Sequence, residues 1–266
     1  MKVYFIFYMI ILSIDMKAQC KDSVVASIHY ISSIKIYLEK DTKEAEMVLD
    51  ITNGKTVFYD RWRQERQEKI DSVKNAHGSL AEMQNAIASL PNSTHFFYIF
   101  NNIPQKGVRT YKEWMGKDFY YTEDIEPINW LLTSKDSTIA EYNCHSAEGV
   151  FRGHKWRVYY TTDIPFSVGP WKLYGLPGAI MYAREESGNF VFDAIEVKTS
   201  PKKLIELKLS QTAIRCTREE FKLMKKEEAN NPNVFFKKRF GLNNHAYNAD
   251  GTPLIYKHKT ALFMED

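Results

Sequence analysis

Thirteen residues, Gly169 to Met181 (GPWKLYGLPGAIM), constrain this chain more than any others. Three glycines and two prolines stand directly ahead of an apolar run, and the sequence on both sides has strand character. Such a density of backbone-shaping residues specifies a tight corner that launches a buried strand. Leu176-Pro177-Gly178-Ala179 fits a type II β-turn, with proline presetting φ at the second position and glycine supplying φ > 0 at the third. Gly169, Pro170, Gly175, Leu176, Pro177 and Gly178 are therefore read as structural.

The rest of the chain fits a β-rich fold around that corner. Sixteen tyrosines and sixteen phenylalanines favour pleated, half-buried surfaces. Ser23–Tyr37 reads as a long strand, and Glu46–Ile51 with Lys55–Tyr59 as a hairpin turned at Asn53-Gly54, a type I′ signal. His95–Asn101 (HFFYIFN) is nearly all apolar, as expected of a strand buried on both faces. A meander follows: Val108–Tyr111, Phe119–Thr122, Asn129–Leu132, Thr138–Cys144, Lys155–Thr161, Ala179–Arg184 and Asn189–Val197. Short connections imply antiparallel neighbours.

Two helices interrupt the strands. One runs from about Asp60 to Asn75, with Trp62, Arg66, Ile70, Val73 and His77 on one face. The second opens with a Ser79/Glu82 capping box and ends before Pro91. Both are expected to cover the sheet. Past Pro201 the pattern weakens: Lys202–Leu209 reads as a last strand, and Thr217 with Glu220 caps a helix bearing Phe221 and Met224. The fold class expected is α+β, mainly β: a curved antiparallel meander, half-barrel or bowl, with a few covering helices. No repeat or linker divides residues 20–266, so one domain is expected, with a less regular tail over 201–266.

Residues 1–19 are set apart from that domain. Lys2 precedes an apolar run from Val3 to Ile14, too short for a membrane-spanning helix and suited to a signal-peptide core, with cleavage after Ala18 or Gln19. A lipid-modified Cys20 fits less well, because Lys17 and Gln19 stand where a lipobox has an aliphatic and a small residue. The formal charge of +3, with lysines scattered among as many acids, gives no basis for nucleic-acid binding. No transmembrane span is expected after leader removal.

The segment Tyr142–Phe192 carries a resemblance. Tyr142-Asn143-Cys144, Phe151-Arg152-Gly153, Trp156 to Thr161, Asp163-Ile164-Pro165 and finally GLPGAI resemble, in order, the motifs of the GLPGLI family of Gram-negative envelope proteins. Ala179 departs from the second leucine of that motif, and His154 stands where an arginine commonly follows FRG. The resemblance implies an exported, periplasmic or envelope-associated β-rich protein and carries no catalytic residue with it.

Candidate chemistry is sparse. The chain has no G-x-S-x-G, H-E-x-x-H, C-x-x-C, Walker or G-x-G-x-x-G motif, and no cofactor is implied. An exported setting permits a Cys144–Cys216 disulfide, the alternative being that Cys144 is a small reduced core residue. Cys144 and His154, on neighbouring strands, are candidates for a thiolate–imidazole pair or for soft-metal ligation with His29 or His95, set against an ordinary structural role. Arg152 and Asp163 are read as an ion pair or as an anion-binding cleft. Trp156, Tyr159, Tyr160, Trp171 and Tyr174 line a groove for glycan or peptide, or else pack in the core. Asp22-Ser23, Asp71-Ser72 and Asp136-Ser137 have the form of O-glycosylation acceptors, the last expected at a turn. The function expected is a non-enzymatic accessory protein that binds a peptide, a glycan or an outer-membrane protein partner. Its rival is a hydrolase or metal protein centred on Cys144 and His154.

Overall fold

The computed structural model describes residues 22–38, 42–241, 260 and 262–264. Residues 1–21, with the expected signal peptide and Cys20, lie outside the described residues, as does most of the stretch after Gly241. The elements in chain order are β1 (Asp22–Ser23), β2 (Ala26–Ile34), β3 (Lys43–Ile51), β4 (Thr56–Asp60), α1 (Arg61–Asn75), α2 (Leu80–Ile87), β5 (Phe97–Asn101), β6 (Val108–Trp114) and β7 (Asp118–Asp124). There follow β8 (Trp130–Ile139), β9 (Tyr142–Phe151), β10 (His154–Thr161), β11 (Ala179–Glu185), β12 (Phe190–Thr199), β13 (Leu204–Ile205), β14 (Ile214–Arg215), α3 (Arg218–Asn230) and α4 (Pro232–Phe240). Strand accounts for 43% and helix for 20%.

Twelve strands form one sheet in the order β14-β7-β6-β5-β4-β3-β2-β12-β11-β10-β9-β8. It is two antiparallel meanders, β2 to β7 and β8 to β12, stitched together where β2 pairs antiparallel with β12 from Phe190–Ile34 to Thr199–Ala26. Only β14 runs parallel to its neighbour, β7. The sheet is curved without closing into a barrel. Its curl is visible in one contact: Arg152, just past β9, reaches Glu123 in β7 at 3.3 Å although eight strands lie between β7 and β9 in the sheet order.

Alternation assigns the faces. Met47, Leu49 and Ile51 of β3, Phe58 of β4 and Ile99 of β5 point into the main core, beside Trp156, Val158 and Phe192 from the second meander. The opposite face of β3–β5 buries Val48, Val57, Tyr59, Tyr98 and Phe100 against Ile205 and Leu207. β5, apolar except for Asn101, is thus buried on both faces, as its sequence implied.

Several local expectations change. Residues 138–144 do not form one strand. β8 turns into β9 at Ala140-Glu141, where both residues take positive φ (46° and 70°) without glycine or asparagine. Asp136-Ser137 therefore lies within β8, paired with His145 and Cys144, rather than at a turn. At Asn53-Gly54 the hairpin forms, but only Gly54 has positive φ, so the type I′ geometry is not adopted. Residues 202–209 contribute only the two-residue β13, paired with β1.

The helices divide differently from expectation. Asp60 caps α1, and Ser79 and Glu82 close the capping box of α2 as read from the sequence. Neither helix buries a residue, although α1 lies against β3 and β4, with the Tyr98 hydroxyl donating to Gln64 Oε1 at 3.1 Å. They pack on each other, with Arg66 donating to the Pro91 carbonyl at 3.0 Å. The covering helices are α3, which buries Phe221, Met224 and Ala229, and α4, which buries Phe235. Phe221 meets Tyr111 edge-on at 5.3 Å, closing the inner face of β6 and β7.

Candidate functional site

The corner at 169–178 is built from close approach more than from unusual φ. A Cβ on Gly178 would stand 2.7 Å from the Thr161 carbonyl carbon and nearer still to its oxygen. Gly178 does not have positive φ, so the type II turn expected there is not formed. The glycine is required because β10 passes against its Cα. Positive φ falls instead on Gly175 (100°) and Trp171 (53°). The chain then enters β11, with Val168 and Ala179 forming a parallel bridge.

Trp171 adopts that left-handed backbone because its neighbours over-determine it. Its indole stacks on Trp156 at 5.6 Å and meets Phe151 edge-on at 5.7 Å, and both tryptophans are buried in the main core. Each is only 1% exposed. The next residue, Lys172, is fully buried: its ammonium lies 2.7 Å from Glu123 Oε1 and 3.1 Å from the Tyr121 hydroxyl. Arg109, also fully buried, donates to the Lys172 carbonyl at 3.0 Å, to Asn101 Oδ1 at 2.7 Å and to Glu123 Oε1 at 3.3 Å. Arg152 takes the other oxygen, Glu123 Oε2, at 3.3 Å, and Arg218 approaches it at 3.9 Å. One carboxylate thus gathers four cations from the corner, β6, the β9–β10 turn and α3.

Arg152 is placed by the turn itself. His154 pairs with Phe151, leaving Arg152 (φ 50°) and Gly153 (φ 76°) as a two-residue hairpin turn with both φ positive. Its guanidinium reaches Glu123 and Glu126, not Asp163, which is exposed, so the expected Arg152–Asp163 pair is not formed. Tyr174 is half-buried; its hydroxyl donates to the Glu126 carbonyl at 2.5 Å and its own carbonyl accepts from the Trp130 indole at 2.7 Å. Arg152, Trp171 and Tyr174 therefore converge as architecture.

Cys144 and His154 do not meet. His154 sits at the β9–β10 turn, whereas Cys144 lies seven residues back along β9, about 23 Å at strand rise. His154 bonds the Phe263 carbonyl at 2.9 Å and lies 3.7 Å from Glu185. The Cys144 thiol donates to the Tyr142 carbonyl at 3.4 Å, and burial pushes it up to about 11, far from a reactive thiolate. Cys144 and Cys216 are both free, so the possible disulfide between them is not formed; Cys144 lies in β9 and Cys216 directly after β14. Among the described residues no group of three or more His, Cys, Asp or Glu side chains is arranged to hold a metal ion.

A wide open space lies on the outer face of the second meander. A trough of about 910 Å³ crosses β8 to β12. Alternation places Trp156, Val158 and Tyr160 inward, and sends Arg157 and Tyr159 out into the trough. Tyr159 stands opposite Tyr182 in register, their rings edge to face at 6.0 Å, and Arg157 stands opposite Arg184. Arg157 pairs with Glu148 at 2.8 Å. Among the described residues the hydroxyls of Tyr159 and Tyr182, the Arg184 guanidinium and the Asp193 carboxylate have no hydrogen-bond or ion-pair partner. Partial desolvation by the surrounding strands raises the Asp193 carboxyl above its ordinary value. Of the five aromatics expected to line a groove, Tyr159 turns its side chain out into this trough, while Trp171 and Tyr174 border other spaces. Tyr182, Arg184 and Asp193 were missed, although period-two alternation along Ala179–Arg184 and Asn189–Val197 marks them.

No family model matches this chain, and no curated protein matches it by sequence. Two solved structures of PNGF-II resemble it. In the P21 form the TM-score is 0.52 with 17% identity, over 78% of this chain and 34% of that one. In the C2 form the values are 0.48 and 16%, with the same coverage. The chain spans about a third of the length of these neighbours, and at that identity the likeness is one of fold.

Proposed function

We propose that this is an exported cell-envelope binding protein, without catalytic activity of its own, that holds an oligosaccharide across the outer trough. The observation that carries the reading is the cluster of Tyr159, Tyr182, Arg184 and Asp193, whose polar groups have no partner within the described chain. Tyrosine offers an apolar ring face and a hydroxyl together, which suits sugar rings that are apolar on one face and rimmed with hydroxyls. Donors and acceptors of both charge signs along the trough suit neutral hydroxyls better than one charged group. A peptide is the weaker occupant, because the trough offers no deep pocket for alternate side chains.

Export rests on the Lys2-led apolar run before Gln19 and on the resemblance to the GLPGLI family, whose motif segment supplies β9, β10 and β11. Among the described residues no helix is long and apolar enough to cross a membrane. The hydrolase or metal-protein alternative loses its geometry with the separation of Cys144 from His154.

The test uses the chain from Cys20 onward against arrayed lipopolysaccharide-core and peptidoglycan fragments, followed by calorimetry on any that bind. Saturable binding to a fragment, weakened about tenfold by Tyr159→Ala or Arg184→Ala, is expected, the scale of one lost aromatic or charged contact. Absence of binding to every fragment, or affinity unchanged in a Tyr159→Ala/Tyr182→Ala double variant, overturns the reading.

A further inference from the structure

On the inner side of the sheet, under α3, lies a second and separate space of about 250 Å³. Its walls are Phe97, Tyr121, Trp171, Phe190 and Phe221, with Leu262 at its rim. A cavity of about 150 Å³ with such walls accepts benzene, so this one has room for a ring carrying a short chain.

Beside Lys43, Thr94 and Lys222, its polar lining holds two features that behave differently. The first is self-contained. Lys225 lies 2.9 Å from Glu113 and 3.1 Å from Glu228, and the Tyr111 hydroxyl donates to Glu113 at 2.7 Å. Burial pulls the Lys225 ammonium down, but the two carboxylates outweigh it and hold it charged. The second feature is His95. It precedes β5 by two residues and shares the inward face of Phe97, whose ring lies 5.8 Å away. Its backbone N–H is held by Asp60 Oδ2 at 3.2 Å, and its side chain is buried, with 4% of the residue exposed. Among the described residues its Nε2 has no hydrogen-bond partner. Burial drives the ring down to about 4, so it is neutral at physiological pH.

A buried ring nitrogen without a partner loses its hydration and gains nothing for it, and native proteins seldom leave one so. A trapped water is a poor answer, because water wants two to four partners and the neighbouring charges are committed to each other. We infer that the cavity is a binding site for a small neutral molecule: an apolar ring with a short chain and one hydroxyl, the hydroxyl bonded to His95 Nε2. A hydroxyl both donates and accepts, so it satisfies either tautomer of the neutral ring. A cationic ligand is disfavoured by Lys43, Lys222 and Lys225 in the lining, and an anionic one finds the Lys225 ammonium already shared by two carboxylates. This site is independent of the outer trough, on the other face of the sheet.

The experiment compares 4-propylphenol with propylbenzene on the chain from Cys20 onward. Calorimetry is expected to give one equivalent of 4-propylphenol bound about tenfold more tightly than propylbenzene, the worth of one hydrogen bond. His95→Phe is expected to erase that difference while propylbenzene still binds. In ¹⁵N-histidine spectra of the unaltered protein, 4-propylphenol moves the His95 Nε2 resonance and propylbenzene leaves it in place. Tyr159→Ala changes none of this. Failure of both compounds to bind at one equivalent, a preference that survives His95→Phe, or a His95 resonance unmoved at saturation overturns the inference. The spectra decide the matter if the His95→Phe variant does not fold.

Discussion

Gly178→Ala separates two accounts of the GLPG corner. If Gly178 supplied positive φ in an open turn, alanine would cost backbone strain alone, and asparagine, which tolerates that region, would recover part of it. The structure says otherwise: the new methyl would meet the Thr161 carbonyl carbon at 2.7 Å, with the Thr162 Cα at 3.1 Å behind it. These are main-chain atoms of and beside β10, locked by pairing with β9 and β11, so they do not move aside as a side chain would. Overpacking against atoms that yield costs about 1–3 kcal/mol, and against an immobile backbone the value rises to about 3–4 kcal/mol. Gly175→Ala is the internal control. It has φ of 100° but nothing within 3.5 Å of the new methyl except the Trp130 indole nitrogen at 3.5 Å, so its cost is strain alone, about 1–2 kcal/mol. For a chain this long, Gly178→Ala then lowers Tm by roughly 6–16 °C and Gly175→Ala by roughly 2–8 °C. Urea titrations followed by tryptophan fluorescence measure both. A Gly178→Ala variant no less stable than Gly175→Ala, or a Gly178→Asn variant clearly better than Gly178→Ala, refutes the close-approach account.

Two further outcomes are expected. Glu123→Gln removes the carboxylate shared by Lys172 and Arg109, both fully buried, and is expected to cost about 3–5 kcal/mol, whereas Lys172→Met leaves Glu123 with Arg109 and Arg152 and costs under about 2 kcal/mol; urea midpoints giving the reverse order would contradict the hub. His95, driven by burial to about 4 from its ordinary 6.5, binds its proton more weakly folded than unfolded, so its contribution is complete above pH 6.5 and is lost as pH falls toward 4, about 3 kcal/mol at most. His95→Phe should flatten the stability profile between those limits, and a profile as steep as that of the unaltered protein would disprove the assignment.

What was readable in the sequence was mostly local. The capping boxes of α2 and α3, the Phe151-Arg152-Gly153 turn and the doubly buried β5 each announce themselves within a few residues. The β8–β9 turn did not, because Ala140 and Glu141 carry no turn signal and take positive φ under the pull of the flanking ladders. The stitch between β2 and β12 spans most of the chain and leaves no local trace. The amphipathic stripe of α1 was visible but says nothing about whether a core is there to receive it. For the candidate site, Trp156 and Tyr159 were placed in one groove although strand alternation puts them on opposite faces; that signal was present in the spacing. Nothing in the spacing marks Lys172 as buried, since a lysine between Trp171 and Leu173 has the look of an ordinary exposed residue.

The corner and the trough are linked through that lysine. A curved open sheet of twelve strands has two edges and no ladder to hold its curl, so something else must fasten β6 and β7 to β9 and β10. The corner does so at three levels. Trp171 fills the space between Trp156 and Phe151, Lys172 and the Arg109 bond to its carbonyl tie in Glu123, and Arg152 brings the β9–β10 turn to the same carboxylate. The inward residues of β10 and β11 are thereby held rigid, and rigid strands present their alternate side chains at fixed spacing on the other face. Tyr159 and Tyr182 stand in register on those same two strands. The GPWKLYGLPG stretch is thus far from any ligand in the trough and still decides where the trough's aromatic pair stands, which explains why a motif dense in backbone constraints carries no chemistry of its own.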